Sequence, residues 1–145
     1  MIQQPERLDR WARLMLQVIV GLVFMMHGSQ KLLGAFGGGG ISGTTAFFQK
    51  FTISPSPFWA WVVALLEFFG GLSILLGFLT RIWTSLIVIE MIVAIVKVNY
   101  ARGFFFDKGG WEIPLMFGAA VLALALMGPG PLSIDRALGL EKRAG

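Results

Sequence analysis

The chain has 145 residues, of which 56% are hydrophobic and 14% are charged, and its mean hydropathy is +0.76. Soluble domains carry about 25% charged residues, so this composition excludes an ordinary soluble fold and favours an integral membrane protein. The net charge is +4, but the basic residues are scattered singly around the apolar segments. This pattern is typical of membrane flanks and not of a nucleic-acid-binding face, so no nucleic acid partner is expected.

Four apolar stretches fill most of the chain, at residues 14–26, 58–79, 82–100 and 111–127. A bilayer core requires about 20 mostly apolar residues per helix, so each stretch is long enough, or nearly so, to span it. We therefore predict an all-α fold, an integral membrane four-helix bundle that forms one domain over residues 1–145. The predicted helices cover approximately residues 11–33, 58–79, 82–100 and 111–128.

The first apolar stretch follows three arginines, Arg7, Arg10 and Arg13, so a cleaved signal peptide is an alternative reading. The stretch continues amphipathically through His27 and Lys31 without a small-residue cleavage pattern, which favours a retained first helix. With four spans, the side that holds both termini carries seven basic residues against five on the other side. The positive-inside rule then predicts that both termini lie in the cytoplasm of a prokaryotic inner membrane.

The segment between the first two stretches, residues 34–57, is predicted to leave the first helix and cross the membrane surface. It begins with the glycine run Gly37–Gly40 and ends with Pro55 and Pro57, which disfavour a continuous helix. The glycine run lacks the Lys-Ser/Thr pair of a phosphate-binding loop, so it is read as a flexible linker. Three aromatic residues suggest an interfacial or re-entrant piece: Phe47, Phe48 and Phe51.

Two glutamates, Glu67 and Glu90, lie inside apolar stretches. A carboxylate at the bilayer centre costs about 2.5–3.5 kcal/mol, so each requires a partner, a proton or a function. The short connection at 77–81 makes the second and third helices antiparallel neighbours. Counting from this turn at 1.5 Å per residue places Glu67 about 21 Å deep and Glu90 about 14 Å deep. For Glu67 a structural ion pair and a functional role are both open, whereas a structural role is favoured for Glu90.

A polar cluster is predicted at the end of the first helix, where His27, Gln30 and Lys31 share one turn. The four-span topology places this turn at the non-cytoplasmic rim, together with Lys97 and Glu112 from the third and fourth helices. The cluster of candidate binding residues is therefore His27, Gln30, Lys31, Glu67, Lys97 and Glu112. The alternative is that Lys31, Lys97 and Glu112 simply extend to the membrane interface.

Several cofactor classes are disfavoured by the residue inventory, which includes no cysteine and one histidine. Without thiolates the chain cannot ligate an iron–sulfur cluster, and one histidine cannot provide both axial ligands of a haem. No dinucleotide fingerprint indicates a flavin or nicotinamide site. A metal site from His27, Glu67 and Glu90 is chemically conceivable, but the paired Glu-x-x-His pattern of di-iron bundles is absent, and no metal is predicted.

Five ordered motifs resemble those of the DoxX family. They are His27-Gly28-Ser29-Gln30-Lys31-Leu32, Glu67 with Gly70-Gly71, Gly77-Phe78-Leu79-Thr80-Arg81, Gly109-Gly110-Trp111-Glu112-Ile113-Pro114, and Gly128-Pro129-Gly130 with Ser133-Ile134-Asp135. The resemblance implies a small four-helix membrane protein, related to a subunit associated with archaeal quinol oxidase and similar to the membrane subunit of thiosulfate:quinone oxidoreductase. It places the family's recurrent polar sites at His27, Gln30, Lys31, Glu67, Arg81 and Glu112.

Three functions remain open at this stage. In a quinone-linked redox subunit, His27 or Gln30 donates to a quinone oxygen, Glu67 relays a proton and Lys31 or Lys97 stabilises negative charge. Glu67 and His27 are then the candidates for catalysis, and a protein partner supplies electrons. The alternatives are a non-enzymatic scaffold for a redox, stress-response or biosynthetic partner, and proton or small-solute passage through a homo-oligomer.

Overall fold

The computed structural model describes residues 4–141, and its regular elements over this range are all helical. The all-α prediction is therefore confirmed. The α-helices are α1 (Gln4–Leu33), α2 (Gly40–Lys50), α3 (Ser56–Leu76), α4 (Thr80–Ala94), α5 (Glu112–Met127) and the short α6 (Ile134–Ala137).

Three helical segments of the described range are long and apolar enough to cross a membrane. They are Glu6–Leu33 with 28 residues, Ser56–Leu76 with 21 and Thr80–Arg102 with 23. The last includes α4 and its continuation through a π-helical turn at Ile95–Asn99. The apolar α5 has 16 residues and is therefore only about 24 Å long, so the predicted four similar helices are three long ones and a shorter one.

The interface between α1 and α3 is the most extensive in the bundle. A Cβ atom at Gly28 would overlap the backbone of Phe68, and one at Gly71 would overlap the backbone of Met25. These glycines let the two backbones approach more closely than larger residues permit, as in other small-residue membrane interfaces. Because later residues of α1 pack on earlier residues of α3, the two helices are antiparallel.

The helices α3, α4 and α5 continue the antiparallel order. Helix α3 is capped by Gly77, whose φ of +67° is readily adopted by glycine, and α4 begins only three residues after this cap. Gly70 of α3 faces Ile87 of α4, and Met91 of α4 faces Gly118 of α5. The buried core between these helices and α1 contains Val20, Phe24, Ile74, Ile87, Met91, Val121 and Leu124.

The segment predicted as a surface crossing contains a helix, α2, that sequence analysis did not predict. Gly38 packs against Gln30 near the end of α1, so α2 starts beside that end. The α2 helix then packs on both α1 and α3 and buries Thr44 and Phe48. It ends close to the start of α3, where the Ser56 hydroxyl donates to the Ile53 carbonyl. Together α1 and α2 form a broken helix along the length of α3.

Candidate functional site

An ion pair between Lys31 and Glu67 joins α1 to α3 inside the bundle. The Lys31 Nζ atom donates to Oε2 of Glu67 at 2.6 Å, and only 5% of the Glu67 side chain is exposed. The close packing of Gly28 on α3 brings the end of α1 to this position. Glu67 is eleven residues from Ser56 and nine from Leu76, about 16 Å and 14 Å from the two ends of α3. Lys31 is therefore paired at mid-height of α3.

Glu90 of α4 faces the same ion pair. Gly70 contacts Ile87, and a step of three residues along each antiparallel helix brings Glu67 opposite Glu90. The two carboxyl groups lie within hydrogen-bonding reach, with the Lys31 ammonium close by. The predicted difference in depth is wrong because α3 ends at Leu76 rather than at the turn. Glu67 is then nine residues from the end of α3, and Glu90 is ten residues from the start of α4.

Lys31, Glu67 and Glu90, here called the buried triad because Glu67 and the Oε2 atom of Glu90 are buried, combine one half-buried ammonium with two carboxyl groups. The Oε2 atom of Glu90 is buried and has no hydrogen-bond donor among the described residues. An ionised carboxylate is only an acceptor, so two carboxyl groups hydrogen-bond to each other only if one carries a proton. The triad thus places two acids and one base in an apolar part of the bundle, where unbalanced charge is costly.

His27 lies one helical turn before Lys31 but points to a different part of the bundle. Its imidazole is exposed at the bundle surface and meets the ring of Phe117 on α5 edge-on, with the centroids 6.0 Å apart. The spacing of four residues separates the His27 and Lys31 backbones by about 6 Å along α1. Within residues 4–141, no three His, Cys, Asp or Glu side chains are grouped as metal ligands. The His27 ring thus lies exposed on the outer surface of the bundle, between α1 and α5.

The other predicted cluster residues are not brought to the triad. The Gln30 amide donates to the Phe36 carbonyl at 3.3 Å and so stabilises the turn after α1. The Glu112 carboxylate accepts from the Phe106 backbone N–H at 3.0 Å and holds the loop before α5. Lys97 is exposed in the π-helical turn, seven residues and about 10 Å beyond Glu90. Of the six predicted residues, Lys31 and Glu67 are bonded to each other, whereas Gln30 and Glu112 bond to backbone groups of the loops.

A second polar network, the clasp, ties the C-terminal residues to the bundle through Gln17, Arg81 and Asp135. The two Asp135 oxygens accept from the backbone N–H groups of Leu79 and Thr80 at 2.7 Å and 2.9 Å. These bonds satisfy donors at the start of α4, which have no partner within the helix. Asp135 itself is 3% exposed. It thus caps α4 from a distant part of the chain.

Gln17 and Arg81 complete the clasp. The fully buried Gln17 amide donates to the Leu75 carbonyl at 3.2 Å and accepts from the Gly130 N–H at 2.7 Å. The Arg81 guanidinium donates to the Ala125 carbonyl at 2.7 Å and pairs with Glu141. Sequence analysis missed the roles of Gln17 and Asp135. A lone amide inside the first apolar stretch was the available signal for Gln17.

Comparisons with known proteins agree with this architecture. A family model described as DoxX matches residues 12–100. The chain is 34% identical to the putative oxidoreductase CatD of Bacillus subtilis, with 84% of this chain and 83% of the relative covered. It is 32% identical to the inner membrane protein YqjF of Escherichia coli, with 92% and 96% covered. It is also 30% identical to the uncharacterized membrane protein Rv3486 of Mycobacterium tuberculosis, with 89% and 81% covered.

No solved structure matches the chain. The family model covers more than half of the residues, and the relatives align over most of both chains. The membrane-length helices and the relatives described as membrane proteins agree on location in a lipid bilayer. The chain is an integral membrane protein and belongs to the DoxX family.

Proposed function

We propose that this protein is the membrane subunit of a quinone-linked oxidoreductase, in which the buried triad exchanges protons beside a quinone bound at His27. The observation that carries the proposal is the Lys31–Glu67 pair at mid-height of α3, with Glu90 against it. Ionisable groups at membrane depth are costly and usually functional. The similarity to a protein named as a putative oxidoreductase supports redox chemistry as the class of reaction.

Quinone chemistry suits the arrangement because it couples electrons to protons inside a membrane. Reduction of a quinone to a quinol consumes two electrons and two protons, so a binding site needs a proton source as well as apolar walls. His27 presents an N–H donor beside the Phe117 ring on the exposed surface, where a lipid-soluble molecule has access. The buried triad begins one helical turn further along α1 and supplies the proton source.

The electrons enter through a partner protein in this proposal. The chain has no cysteine and one histidine, so it lacks the residues for an iron–sulfur cluster or a bis-histidine haem. The partner therefore carries the electron donor, and the DoxX chain supplies the quinone site in the bilayer.

The membrane topology is also part of the proposal. We place α1, α3, α4 and the shorter α5 across the bilayer, with both ends of the chain in the cytoplasm. The N-terminal part of α1 meets the end of α5, where Arg13 donates to the Met127 carbonyl at 3.1 Å. The arginines before the first apolar stretch favour the cytoplasmic side for this end. The buried triad then lies near the middle of the membrane.

A scaffold function is the second candidate, favoured by the local bonds of two of the predicted polar residues. Gln30 and Glu112 bond to backbone groups of the loops, so neither of these two side chains is free to bind a substrate. In this case the buried triad fixes helix packing, and the protein assembles a partner without binding a substrate. The two candidates differ in whether a quinone accompanies the protein.

The test is to purify the protein in mild detergent and measure bound quinone by mass spectrometry. We expect about one quinone per chain in the wild type and a loss of quinone in folded His27→Ala and Glu67→Gln variants. Met26→Ala is the matched control, because Met26 is the exposed neighbour of His27 and is expected to retain quinone. Absence of quinone from folded wild-type protein, or its retention in folded His27→Ala, would overturn the proposal in favour of the scaffold.

A further inference from the structure

The geometry points to Glu90 as a proton store, in which one proton on the Glu90 carboxyl is shared with Glu67 and leaves the buried triad with no net charge. Sequence analysis favoured a structural role for Glu90 and did not place it among the site residues. The inference deepens the proposed function, because it names the residue that holds the proton. It rests on the packing of α3 against α4, and its test requires no quinone.

The first step is the register between α3 and α4. Gly70 has no side chain, and Trp83 and Ile87 of α4 pack into the space above it. This close approach fixes the level of α4, so Glu90 lies opposite Glu67 rather than a turn away. Each glutamate is flanked by apolar neighbours on its own helix, so a carboxyl of the partner helix is the polar group within its reach.

The second step concerns which carboxyl bears the proton. Glu67 accepts a short charge-assisted bond from Lys31, with Nζ and Oε2 2.6 Å apart, and is therefore the carboxyl group that is paired with the cation. Glu90 receives no such bond, and its buried Oε2 has no donor among the described residues. A proton on Glu90 converts it from an acceptor to a donor towards Glu67. It thereby removes the conflict between two adjacent acceptors.

The third step is the charge balance in the surrounding membrane. With both carboxyl groups ionised, the triad has a net charge of −1, whereas one proton makes it neutral. A buried net charge is strongly disfavoured in an apolar medium. The number of protons in the triad therefore follows from its one cation and two acids.

Among residues 4–141, the nearest other ionisable groups on the neighbouring helices are exposed or engaged elsewhere, including His27 of α1, whose exposed ring meets Phe117. Lys31 faces Glu90 from α1, and Glu67 faces it from α3. Helix α5 packs against α4 and has one ionisable residue, Glu112 at its first position, which is engaged with the Phe106 N–H. On α4 and its continuation, Lys97 is two turns further along and exposed.

The experiment is infrared difference spectroscopy on lipid-reconstituted protein, in which the carbonyl band of a protonated carboxyl shifts on exchange into D₂O. At neutral pH we expect one such band per chain in the wild type and none in Glu90→Gln. Glu112→Gln is the matched control, because it makes the same change at a glutamate outside the triad, and it should keep the band. Lys31→Met should double the band, because neutrality then requires a proton on each carboxyl.

The outcomes separate this inference from the proposed function. A wild-type spectrum without the band, or a band that survives in folded Glu90→Gln, overturns the proton store. An unchanged band in folded Lys31→Met overturns the charge balance that assigns the proton. The circular dichroism spectrum of each variant establishes that it is folded. Because no quinone is added, the band can be present in a protein that binds none, and the quinone assay decides that question separately.

Discussion

The clasp and the buried triad both place polar groups in an apolar bundle, but they differ in how completely those groups are hydrogen-bonded. In the clasp, both ends of the Gln17 amide and both oxygens of Asp135 are matched by backbone partners. In the triad, two acids share one cation, and an oxygen of Glu90 is left without a donor. A fully matched network rigidifies a fold, whereas an unmatched one has to be completed by a proton or a ligand. The comparison indicates a structural role for the clasp and supports the chemical role proposed for the triad.

Removal of the capping carboxylate is expected to have the largest effect on stability. Asp135→Ala leaves the Leu79 and Thr80 N–H groups without partners, at a cost of about 2–5 kcal/mol in the free energy of unfolding. Thermal unfolding in detergent measures this loss. Asp107→Ala, at an exposed aspartate, is the control and should change stability by less than about 0.5 kcal/mol. Equal stability of the two variants would contradict a structural role for the clasp.

Loss of the Lys31 ammonium is expected to have a smaller effect on stability, because proton uptake by the two carboxyl groups limits that effect. Breaking a buried ion pair costs about 3–5 kcal/mol when the remaining charge stays unpaired. In Lys31→Met the two carboxyl groups can be neutralised by protons, so we expect a loss of about 1–3 kcal/mol in unfolding experiments. Lys97→Met, at an exposed lysine, should be close to neutral. A loss in Lys31→Met above that of Asp135→Ala would mean that the triad is mainly structural.

The smallest effect on stability is expected at His27. Its exposed ring contacts Phe117 edge-on, an interaction worth about 0.5–1.5 kcal/mol at most. His27→Ala should therefore unfold within about 1 kcal/mol of the wild type. Paired measurements of unfolding and bound quinone on the same preparation check this. A strongly destabilised His27→Ala would place His27 with the clasp residues, and its quinone loss would then no longer support a binding site.

The fold class and the cost of a buried carboxylate could be predicted from the sequence. Long apolar stretches indicate membrane helices, and Glu67 stands out because few glutamates occur in such a setting. The position of Lys31 could not be predicted in this way, because hydrophobicity does not show whether the end of α1 reaches the membrane surface. In the structure α2 continues beyond α1, so that end lies at mid-height of α3.

Local hydrogen bonds account for most of the other differences between the predicted and the observed positions of the polar residues. Whether Gln30 and Glu112 face a site or hold a loop depends on the path of the chain after α1 and before α5. Such loop geometry is not encoded in hydrophobic periodicity. The proximity of Glu67 and Glu90 depends on where α3 ends, and an error of three residues moves a side chain by about 4.5 Å along the helix. Glycine packing at Gly70 was the decisive constraint, and it is visible only in three dimensions.

The location of the ion pair on two separate helices has a consequence for membrane insertion. Lys31 is made and inserted before Glu67, so the lysine enters the bilayer without its partner. Its position two residues from the end of α1 allows the long side chain to reach the interface during this interval. Arrival of α3 then draws the ammonium inward to the carboxylate. The order of synthesis thus makes assembly of the site a late step in biogenesis, completed only when α3 and α4 have joined the first helix.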